Sequence, residues 1–346
     1  MYHTYLTILV PTIIAFCVTT IGTKFIMGYM RESGVVALDH NKKNKPTVPS
    51  GVGIALALGF GVGILVYAAG SSFNLYVPVA SIEYLFAAVI GVLLISLVGL
   101  LDDINVKREM TKSTDMMDTR KGLKQWQKPL LTLMGAIPLM AVNAGVSIVE
   151  IPFIGYVNFG ILYPLIIVPL AIIFGANAFN LLGGFDGIAT GTALIAAAGL
   201  LVYSLIFGTY TGSLISGVLF STLLAFLFYN IYPSKMIPGD SFTYAVGAAM
   251  IIDMILGNME AFGIIVFMPW IIEFILHLRK KFRVTDLGKL RNDGTFEPPY
   301  GKRIYSWTHV AMNIMRAKEW QVSEFMWAIE LLFVGVALLL KYFMFF

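Results

Sequence analysis

The chain has 346 residues, of which 58% are hydrophobic and 13% are charged, and its mean hydropathy is +0.81. This apolar share is far above that of an ordinary soluble domain, which excludes a water-soluble fold. The formal net charge of +4 is small, and its basic residues fall in particular loops. This distribution indicates membrane topology and not a nucleic-acid partner.

Ten apolar runs approach the roughly 20 residues that a helix needs to cross a bilayer. They cover residues 5–28, 51–70, 83–101, 129–146, 159–176, 188–207, 213–231, 241–257, 261–278 and 325–345. Helices are expected because backbone polar groups in lipid must be paired internally, and the continuous runs lack the alternation of an outer-membrane barrel. The sequence therefore predicts an all-α, polytopic membrane protein whose single domain covers residues 1–346.

The Lys and Arg residues fall in every second connection between these runs. Of the 24, 22 lie in segments 31–45, 107–128 and 279–303, at Lys235, and at Arg316 and Lys318. By the positive-inside rule these connections are cytoplasmic and both termini are extracytoplasmic. The predicted cytoplasmic loops are 29–50, 102–128, 177–187, 232–240 and 279–324. We expect a multi-pass protein of the cell membrane whose active site faces the cytoplasm.

Adjacent carboxylates, Asp102 and Asp103, stand at the inner end of the third run, followed by Ile104 and Asn105. About 100° apart on a helix, they can face two partners, such as a divalent metal and a phosphate. An ordinary solvated helix end is the alternative. Lys128, at the start of the fourth run, either snorkels to the membrane surface or offsets these charges and binds phosphate.

A glycine-rich connection, Asn177-Ala-Phe-Asn180-Leu-Leu-Gly-Gly-Phe-Asp186-Gly187, joins the fifth and sixth runs. Asn177 and Asn180 are three residues apart, which on a helical turn places both amides on one face. The glycines let the backbone approach a ligand closely, and the helix that follows Asp186 offers N–H groups to anions. The pattern indicates an anion-binding turn.

A third polar connection runs from Asn230 to Asp240, between the seventh and eighth runs. Asp240 could be a metal ligand, could cap the following helix, or could do both.

A basic loop from Arg279 onward is bracketed by His277 and His309. Its Lys and Arg residues could be topology determinants or phosphate ligands.

In chain order, Gly99-Leu-Leu-Asp102-Asp103, Lys128, the Asn177–Gly187 motif, and Asn230 ten residues before Gly-Asp240 resemble the polyprenyl-phosphate N-acetylhexosamine-1-phosphate transferase family. The resemblance covers nearly the whole chain, including the early loop 39–46, and is greatest to the eukaryotic and archaeal dolichyl-phosphate GlcNAc-1-phosphotransferase branch. Gly183 stands where the bacterial translocase has an acidic residue. Ile237 stands where relatives place an aromatic residue that stacks on uracil.

The resemblance implies transfer of GlcNAc-1-phosphate from a UDP-sugar to dolichyl or polyprenyl phosphate in the bilayer, with release of UMP, as in the first membrane step of N-glycosylation. It implies ten helices and a Mg²⁺ cofactor for which Mn²⁺ can substitute, and a homodimer is compatible with it.

The resemblance also implies the roles of single residues. The implied metal contacts are Asn180 and Asp240; the nucleotide contacts are Asn177, Asp186, Gly187 and Asn230. The implied catalytic residues are Asp102, Asp103 and Lys128. The implied sugar and diphosphate contacts are Arg279, Arg283 and His309, and the lipid-phosphate contacts are Lys42 and Lys45.

Other classes of membrane protein fit the sequence less well. Membrane prenyltransferases need a second Asp-rich motif, and CDP-alcohol phosphotransferases need regularly spaced Asp residues on two helical turns; the chain has neither. A secondary transporter of a polar or anionic solute is the alternative from another class. It would place ionisable residues near the bilayer midplane, where only Asp253 and Glu273 are candidates.

Overall fold

The computed structural model describes residues 2–104, 123–124, 126–151 and 154–343, with the side chains of all of these except 2–5 and 151. Asn105 and most of the predicted loop 102–128 lie outside the described residues. The described chain is predominantly helical, as the apolar runs predict. Its helices are α1 (Tyr2–Glu32), α2 (Ile54–Ser72), α3 (Ile82–Ile104), α4 (Gln127–Thr132), α5 (Ile137–Ala141), α6 (Val168–Phe179), α7 (Ile188–Ile206), α8 (Tyr210–Asn230), α9 (Asp240–Leu256), α10 (Glu260–Val266), α11 (Met268–Leu278), α12 (Trp307–Ile314) and α13 (Glu319–Tyr342).

Three short antiparallel hairpins, which the apolar pattern does not predict, connect some of these helices. They pair β1 (Val36–Leu38) with β2 (Thr47–Pro49), β3 (Ile148–Ile151) with β4 (Gly155–Asn158), and β5 (Lys289–Leu290) with β6 (Phe296–Glu297). The first and third hairpins lie in connections predicted to be cytoplasmic.

Six helices of the described chain are long and apolar enough to cross a bilayer: α1, α2, α3, α7, α8 and α13. The α10–α11 pair, bent by 55°, adds a seventh if it counts as one span. The protein is therefore a multi-pass membrane protein. The predicted run 129–146 consists of α4, a 3₁₀ turn and α5, and the run 159–176 is a π-helical turn that continues into α6. The count of ten spans stays a prediction.

Proline explains where one predicted helix is broken. The predicted run 261–278 is divided into two helices, because α10 ends at Val266 and α11 begins at Met268 with Pro269 in its first turn. Proline lacks a backbone N–H, so it is favoured at helix starts and disfavoured in helix interiors. The chain therefore bends at this position.

α9 is the central helix of the molecule. Between Ser241 and Leu256, every side chain except that of Thr243 is buried, and α9 packs against α3, α6 and α8. A helix that is apolar all round must be covered on all sides. At Gly99 of α3 the two backbones approach so closely that a Cβ atom would overlap the Asp240 carbonyl group. This contact holds the end of α3 against the start of α9.

Peripheral helices surround this centre. α1 packs on α2 and α8, while α13 packs on α7. Large apolar side chains on their outer faces are exposed, including Ile21 and Phe25 of α1 and Leu331 and Leu332 of α13. Exposed apolar surface of this kind suits contact with lipid chains.

Candidate active site

Three aspartates and one lysine meet where α3, α4 and α9 converge. Lys128 Nζ lies 2.8 Å from Asp102 Oδ2 and 3.0 Å from Asp240 Oδ2. These side chains are mostly buried, so water screens their charges weakly. We call Asp102, Asp103, Lys128 and Asp240 the carboxylate–lysine cluster. Lys128 therefore offsets carboxylate charge, which was one of its two interpretations.

Asp103 anchors the first turn of α9. Its two carboxylate oxygens accept the backbone N–H groups of Asp240, at 2.7 Å, and Ser241, at 2.9 Å. The first N–H groups of a helix have no acceptor within the helix. The helix N-terminus also carries a partial positive charge, so the negative charge of Asp103 is stabilising there. The interpretation of Asp240 as the N-cap is wrong, because Gly239 holds that position and Asp103 supplies the acceptor. Gly239 has φ +82°, and a Cβ there would overlap the Asp103 carboxylate.

The two predicted metal contacts lie on adjoining helix ends. Asn180 follows the last turn of α6, and its Oδ1 accepts a hydrogen bond from Thr243 Oγ1 at 2.6 Å. Thr243 is one turn after Asp240 on α9, so it brings the Asn180 amide to the side of α9 that carries Asp240. Asn177 is directed elsewhere, because its Nδ2 donates to Thr132 Oγ1 and to the Ile173 carbonyl. Its predicted nucleotide contact stays a prediction.

The donor set of this region fits a hard divalent cation. Carboxylate and amide oxygens, as offered by Asp240 and Asn180 with Asp102 and Asp103 nearby, are the protein ligands that Mg²⁺ accepts. The described side chains of the carboxylate–lysine cluster thus offer several carboxylate oxygens to such an ion.

A cavity of about 250 Å³ opens beside this cluster. Its lining includes Asn41, Gly184, Asp186, Asn230, Ile237 and Pro238. Ile237 and Pro238 precede Asp240 by three and two residues, so the cavity and the carboxylate–lysine cluster share one stretch of chain. The aliphatic side chain of Ile237 forms the wall where relatives are expected to place an aromatic ring.

Asp186 and Asn230 are held together by a short network. Ser234 N–H donates to Asp186 Oδ2 at 2.9 Å, and Asn230 Nδ2 donates to Ser234 Oγ at 3.2 Å. Thr190 Oγ1 donates to Asn230 Oδ1 at 2.7 Å. Gly187, with φ +74°, begins α7 directly after Asp186. The structure thus brings two of the predicted nucleotide residues, Asp186 and Asn230, to the lining of the cavity.

The family profile described as glycosyl transferase family 4 matches residues 85–258, which include every residue of the carboxylate–lysine cluster and of the network around Asp186. The chain belongs to glycosyl transferase family 4. The resemblance read from the motifs is thereby confirmed. The matched segment leaves out the early loop, the basic loop and α13.

Relatives of this glycosyl transferase extend the similarity to the whole chain. A protein of Saccharolobus solfataricus, provisionally named a UDP-N-acetylglucosamine–dolichyl-phosphate N-acetylglucosaminephosphotransferase, is 34% identical over 97% of both chains. The Dictyostelium discoideum enzyme of that name is 24% identical over 78% of this chain and 71% of its own. A phospho-N-acetylmuramoyl-pentapeptide-transferase of Halalkalibacterium halodurans is 26% identical over 96% of this chain and 97% of its own.

Lys42 of this family 4 transferase lies with the nucleotide residues. Its Nζ is 2.7 Å from Asp186 Oδ2 and also pairs with Glu319 Oε2. Burial alone would lower the pKa of Lys42, but the hydrogen bonds to Asp186 and Glu319 outweigh it and hold the pKa well above its ordinary value. Lys45 is exposed at the turn between β1 and β2, with φ +40°. The predicted lipid-phosphate roles of both lysines stay predictions.

Glu319 is a site residue that sequence reasoning missed. Its Oε1 accepts hydrogen bonds from Asn41 Nδ2, at 3.2 Å, and from the Asp186 backbone N–H, at 3.3 Å. Because Glu319 begins α13, it ties the last helix to the early loop and to the glycine-rich turn. Nothing local distinguishes it from other acidic residues at helix starts. Its partners are more than 130 residues away in sequence.

The predicted sugar and diphosphate residues differ in accessibility. Arg279 and Arg283 are exposed, and Arg279 Nη1 donates to the Ile304 carbonyl at 3.2 Å. Both guanidinium groups can therefore reach a ligand after modest side-chain movement, although the structure does not bring them into the carboxylate–lysine cluster.

His309 is fully buried instead. Its Nδ1 accepts the Tyr305 N–H at 3.1 Å, and its Nε2 lies 2.9 Å from the Thr285 carbonyl, which makes Nε2 the donor. Burial lowers the pKa of His309, in keeping with this neutral form. Both ring nitrogens are thus used to hold the basic loop. The geometry favours a positioning role for His309 over the predicted direct contact.

Proposed function

We propose that the protein transfers N-acetylglucosamine-1-phosphate, or a related N-acetylhexosamine-1-phosphate, from a UDP-sugar to dolichyl or another polyprenyl phosphate, and releases UMP. The observation that carries this proposal is the full-length similarity to a protein named for that reaction. The site is compatible with it, since a cavity lined by Asp186 and Asn230 adjoins the carboxylate–lysine cluster. Such a reaction would begin glycan assembly on a lipid, as in N-glycosylation.

In the proposed reaction, an oxygen of the lipid phosphate attacks the sugar-bearing phosphorus of the UDP-sugar. The bond between that phosphorus and the bridging oxygen breaks, and its electron pair leaves with UMP. Phosphoryl transfer depends mostly on positioning and on neutralising charge. The second pKa of a phosphate monoester is about 6, so the lipid phosphate is largely dianionic at neutral pH and needs no strong base.

Asp102 is better placed to position the lipid phosphate than to attack phosphorus. Its Oδ2 pairs with Lys128, and its Oδ1 accepts the Leu123 backbone N–H. A carboxylate with both oxygens engaged is a weaker nucleophile than a free one. We therefore favour direct attack by the lipid phosphate, with Asp102 taking any remaining proton and Lys128 offsetting charge.

Mg²⁺ or Mn²⁺ is the proposed cofactor, with Asp240 and Asn180 as its protein contacts. The ion would supply charge neutralisation at the diphosphate. Its support is the donor set that Asp240, Asn180 and the neighbouring carboxylates offer. Asp103 contributes by fixing the backbone of Asp240 rather than by a direct contact.

The cavity would hold the nucleotide. Asp186 and Asn230 offer polar groups for the uracil, and Ile237 offers an apolar wall. Gly187 follows Asp186 directly and is the proposed backbone contact. We assign Lys42 to this side of the site, because its ion pair with Asp186 orients that carboxylate. Arg279 and Arg283 remain the proposed contacts of the sugar and the diphosphate.

We further propose the predicted topology: ten spans in the cell membrane, both termini outside, and the active site facing the cytoplasm, where nucleotide sugars are made. Single cysteines at the exposed positions Lys45 and Arg283, in a Cys17→Ala background, should be shielded from an impermeant thiol reagent added to intact cells. Cysteines at the exposed positions Phe73 and Tyr156 should react. The reverse labelling would contradict the orientation.

The deciding assay measures UMP release by the purified protein from a panel of UDP-sugars, with and without polyprenyl phosphate. We expect release with an N-acetylhexosamine donor only when the lipid is present. Release that ignores the lipid, or no release with any donor, would refute the proposed reaction.

A further inference from the structure

Glu273, His277 and Asp286 form a second cluster of ionisable groups, which we call the Glu–His–Asp triad. His277 Nε2 lies 3.0 Å from Glu273 Oε1 and 3.1 Å from Asp286 Oδ1, and the three ligand atoms all lie within 4.8 Å of one another. None of the three residues contacts the carboxylate–lysine cluster through a hydrogen bond or ion pair among the described residues. The triad therefore needs an explanation of its own.

The chain builds this triad from one helix and the loop that follows it. Glu273 and His277 are four residues apart on α11, so their side chains lie on one face of the helix. Asp286 comes from the connection after α11. Glu273 is fully buried and His277 is 4% exposed. The ligand atoms thus converge in a place that water reaches poorly.

In this arrangement one Nε2 hydrogen cannot satisfy both carboxylates, and their negative charges exceed the positive charge beside them. Two carboxylates face the same Nε2 atom, which carries at most one hydrogen. Among the described residues, no Lys or Arg pairs with Glu273 or Asp286. Even a protonated His277 would leave −2 + 1 = −1, and an uncompensated buried charge is costly.

We propose that the Glu–His–Asp triad binds a divalent transition-metal ion of the Zn²⁺ class, separate from the proposed Mg²⁺ site. Such an ion takes imidazole nitrogen and carboxylate oxygen at about 2.0–2.2 Å, whereas Mg²⁺ prefers oxygen alone. Tetrahedral ligands at that range stand roughly 3.4 Å from one another, close to the two separations from Nε2. Two carboxylates, a neutral imidazole and a divalent ion give a neutral site.

The surroundings of the triad hold the Glu273 carboxylate and the backbone of Asp286 from a second layer. Trp307 N–H donates to Glu273 Oε2 at 2.9 Å, and Thr308 Oγ1 donates to the Asp286 carbonyl at 2.9 Å. Partners of this kind orient metal ligands. The bond from Trp307 to Glu273 also joins the start of α12 to α11. An ion bound by Glu273, His277 and Asp286 would therefore hold both ends of the basic loop that carries Arg279 and Arg283. The proposed site belongs to the substrate-binding loop and would act by holding it in place.

The test is a Co²⁺ titration of the purified full-length protein, stripped of metal with a chelator and kept in excess Mg²⁺. We expect one equivalent of Co²⁺ to give a visible ligand-field absorption that Zn²⁺ removes. His277→Gln and Asp286→Asn should each lose this absorption, while Asp240→Asn, at the proposed Mg²⁺ site, should keep it. Zn²⁺ should also raise the melting temperature of the wild type.

Two results would overturn the proposal. One is the absence of any saturable Co²⁺ absorption in the wild type, a result that needs no variant to fold and would leave the triad as an ion pair. The other is an absorption that His277→Gln retains and Asp240→Asn loses, since the ion would then occupy the carboxylate–lysine cluster. Neither result depends on whether the protein transfers a sugar phosphate.

Discussion

The Asp103 carboxylate accepts the backbone N–H of Asp240 at 2.7 Å, so the side chain of one acidic residue holds the main chain of another, 137 positions away. One aspartate orients the helix that presents the other. The structure therefore gives different partners to Asp102 and Asp103, which the sequence alone does not distinguish. Asp102 faces Lys128, whereas Asp103 faces the start of α9.

Asp103→Ala should therefore act on stability as well as on activity. Loss of the acceptor leaves two buried N–H groups unpaired, at a cost of about 1–3 kcal/mol. We expect a lower melting temperature of the detergent-solubilised protein and a reduced kcat. Asp103→Asn, which keeps one acceptor oxygen, should recover part of the melting temperature. Equal melting temperatures for the wild type and Asp103→Ala would contradict the capping role.

Asp240→Ala should reduce turnover by at least about 100-fold, because the diphosphate charge would be poorly neutralised after loss of a metal contact. Turnover should be measured against Mg²⁺ and Mn²⁺ concentration. Asp293→Ala, at an aspartate exposed in the basic loop, is the matched control and should keep full turnover. Full activity of Asp240→Ala would remove this residue from the proposed cofactor site.

Asp102→Asn tests whether this residue takes a proton or forms a covalent intermediate. If it takes the remaining proton of the lipid phosphate, the variant should lose most rate below pH 6, where the monoanion accumulates. Its rate should recover partly as the pH rises through about 6 to 8. A nucleophilic Asp102 would instead leave the variant inactive at every pH, and wild type would release one equivalent of UMP without lipid.

Glu319→Gln should weaken nucleotide binding more than it slows chemistry. The change removes the charge that pairs with Lys42, and a hydrogen bond to a charged group contributes about 1.5–3 kcal/mol. We expect KM for the UDP-sugar to rise roughly tenfold with a smaller change in kcat. Glu324→Gln, at an exposed position of the same helix, is the control. An unchanged KM would leave Glu319 with a purely architectural role.

Ile237→Phe should improve nucleotide affinity. An aromatic ring on this wall of the cavity can stack on a base, which is worth about 1–3 kcal/mol, so KM for the UDP-sugar should fall about fivefold or more. Leu331→Phe on the exposed face of α13 should have no effect. A raised KM for Ile237→Phe would show that uracil does not lie against this wall.

Long apolar runs predicted five helices, α2, α3, α7, α8 and α9, to within three residues at each end. Residues 188–207, for example, correspond to α7 at Ile188–Ile206, because a run of about 20 apolar residues has few alternatives in lipid. The bend before Pro269 was signalled by the proline itself but was not predicted. The small hairpins were missed because strands of two to four residues carry no measurable periodicity.

Local motifs predicted which polar residues matter but not how they pair. The neighbours Asp102 and Asp103 carry the same side chain, yet only the packing of α3 against α9 gives them different partners. The family resemblance implies a lipid-phosphate contact for Lys42, but it does not indicate the ion pairs of Lys42 with Asp186 and Glu319, which lie more than 140 residues away. Tertiary contacts over such separations cannot be read from one sequence.

The position of Glu319 at the start of α13 sets an upper limit on how much of this protein can be cut away. A chain ending within the basic loop would keep all of residues 85–258, yet Lys42 would lose one carboxylate partner and the Asp186 N–H would lose its acceptor. Trp327, whose indole donates to the Gly187 carbonyl, would be lost as well. The smallest working unit therefore extends to the final helix, and fragments designed on the family segment alone should bind nucleotide poorly.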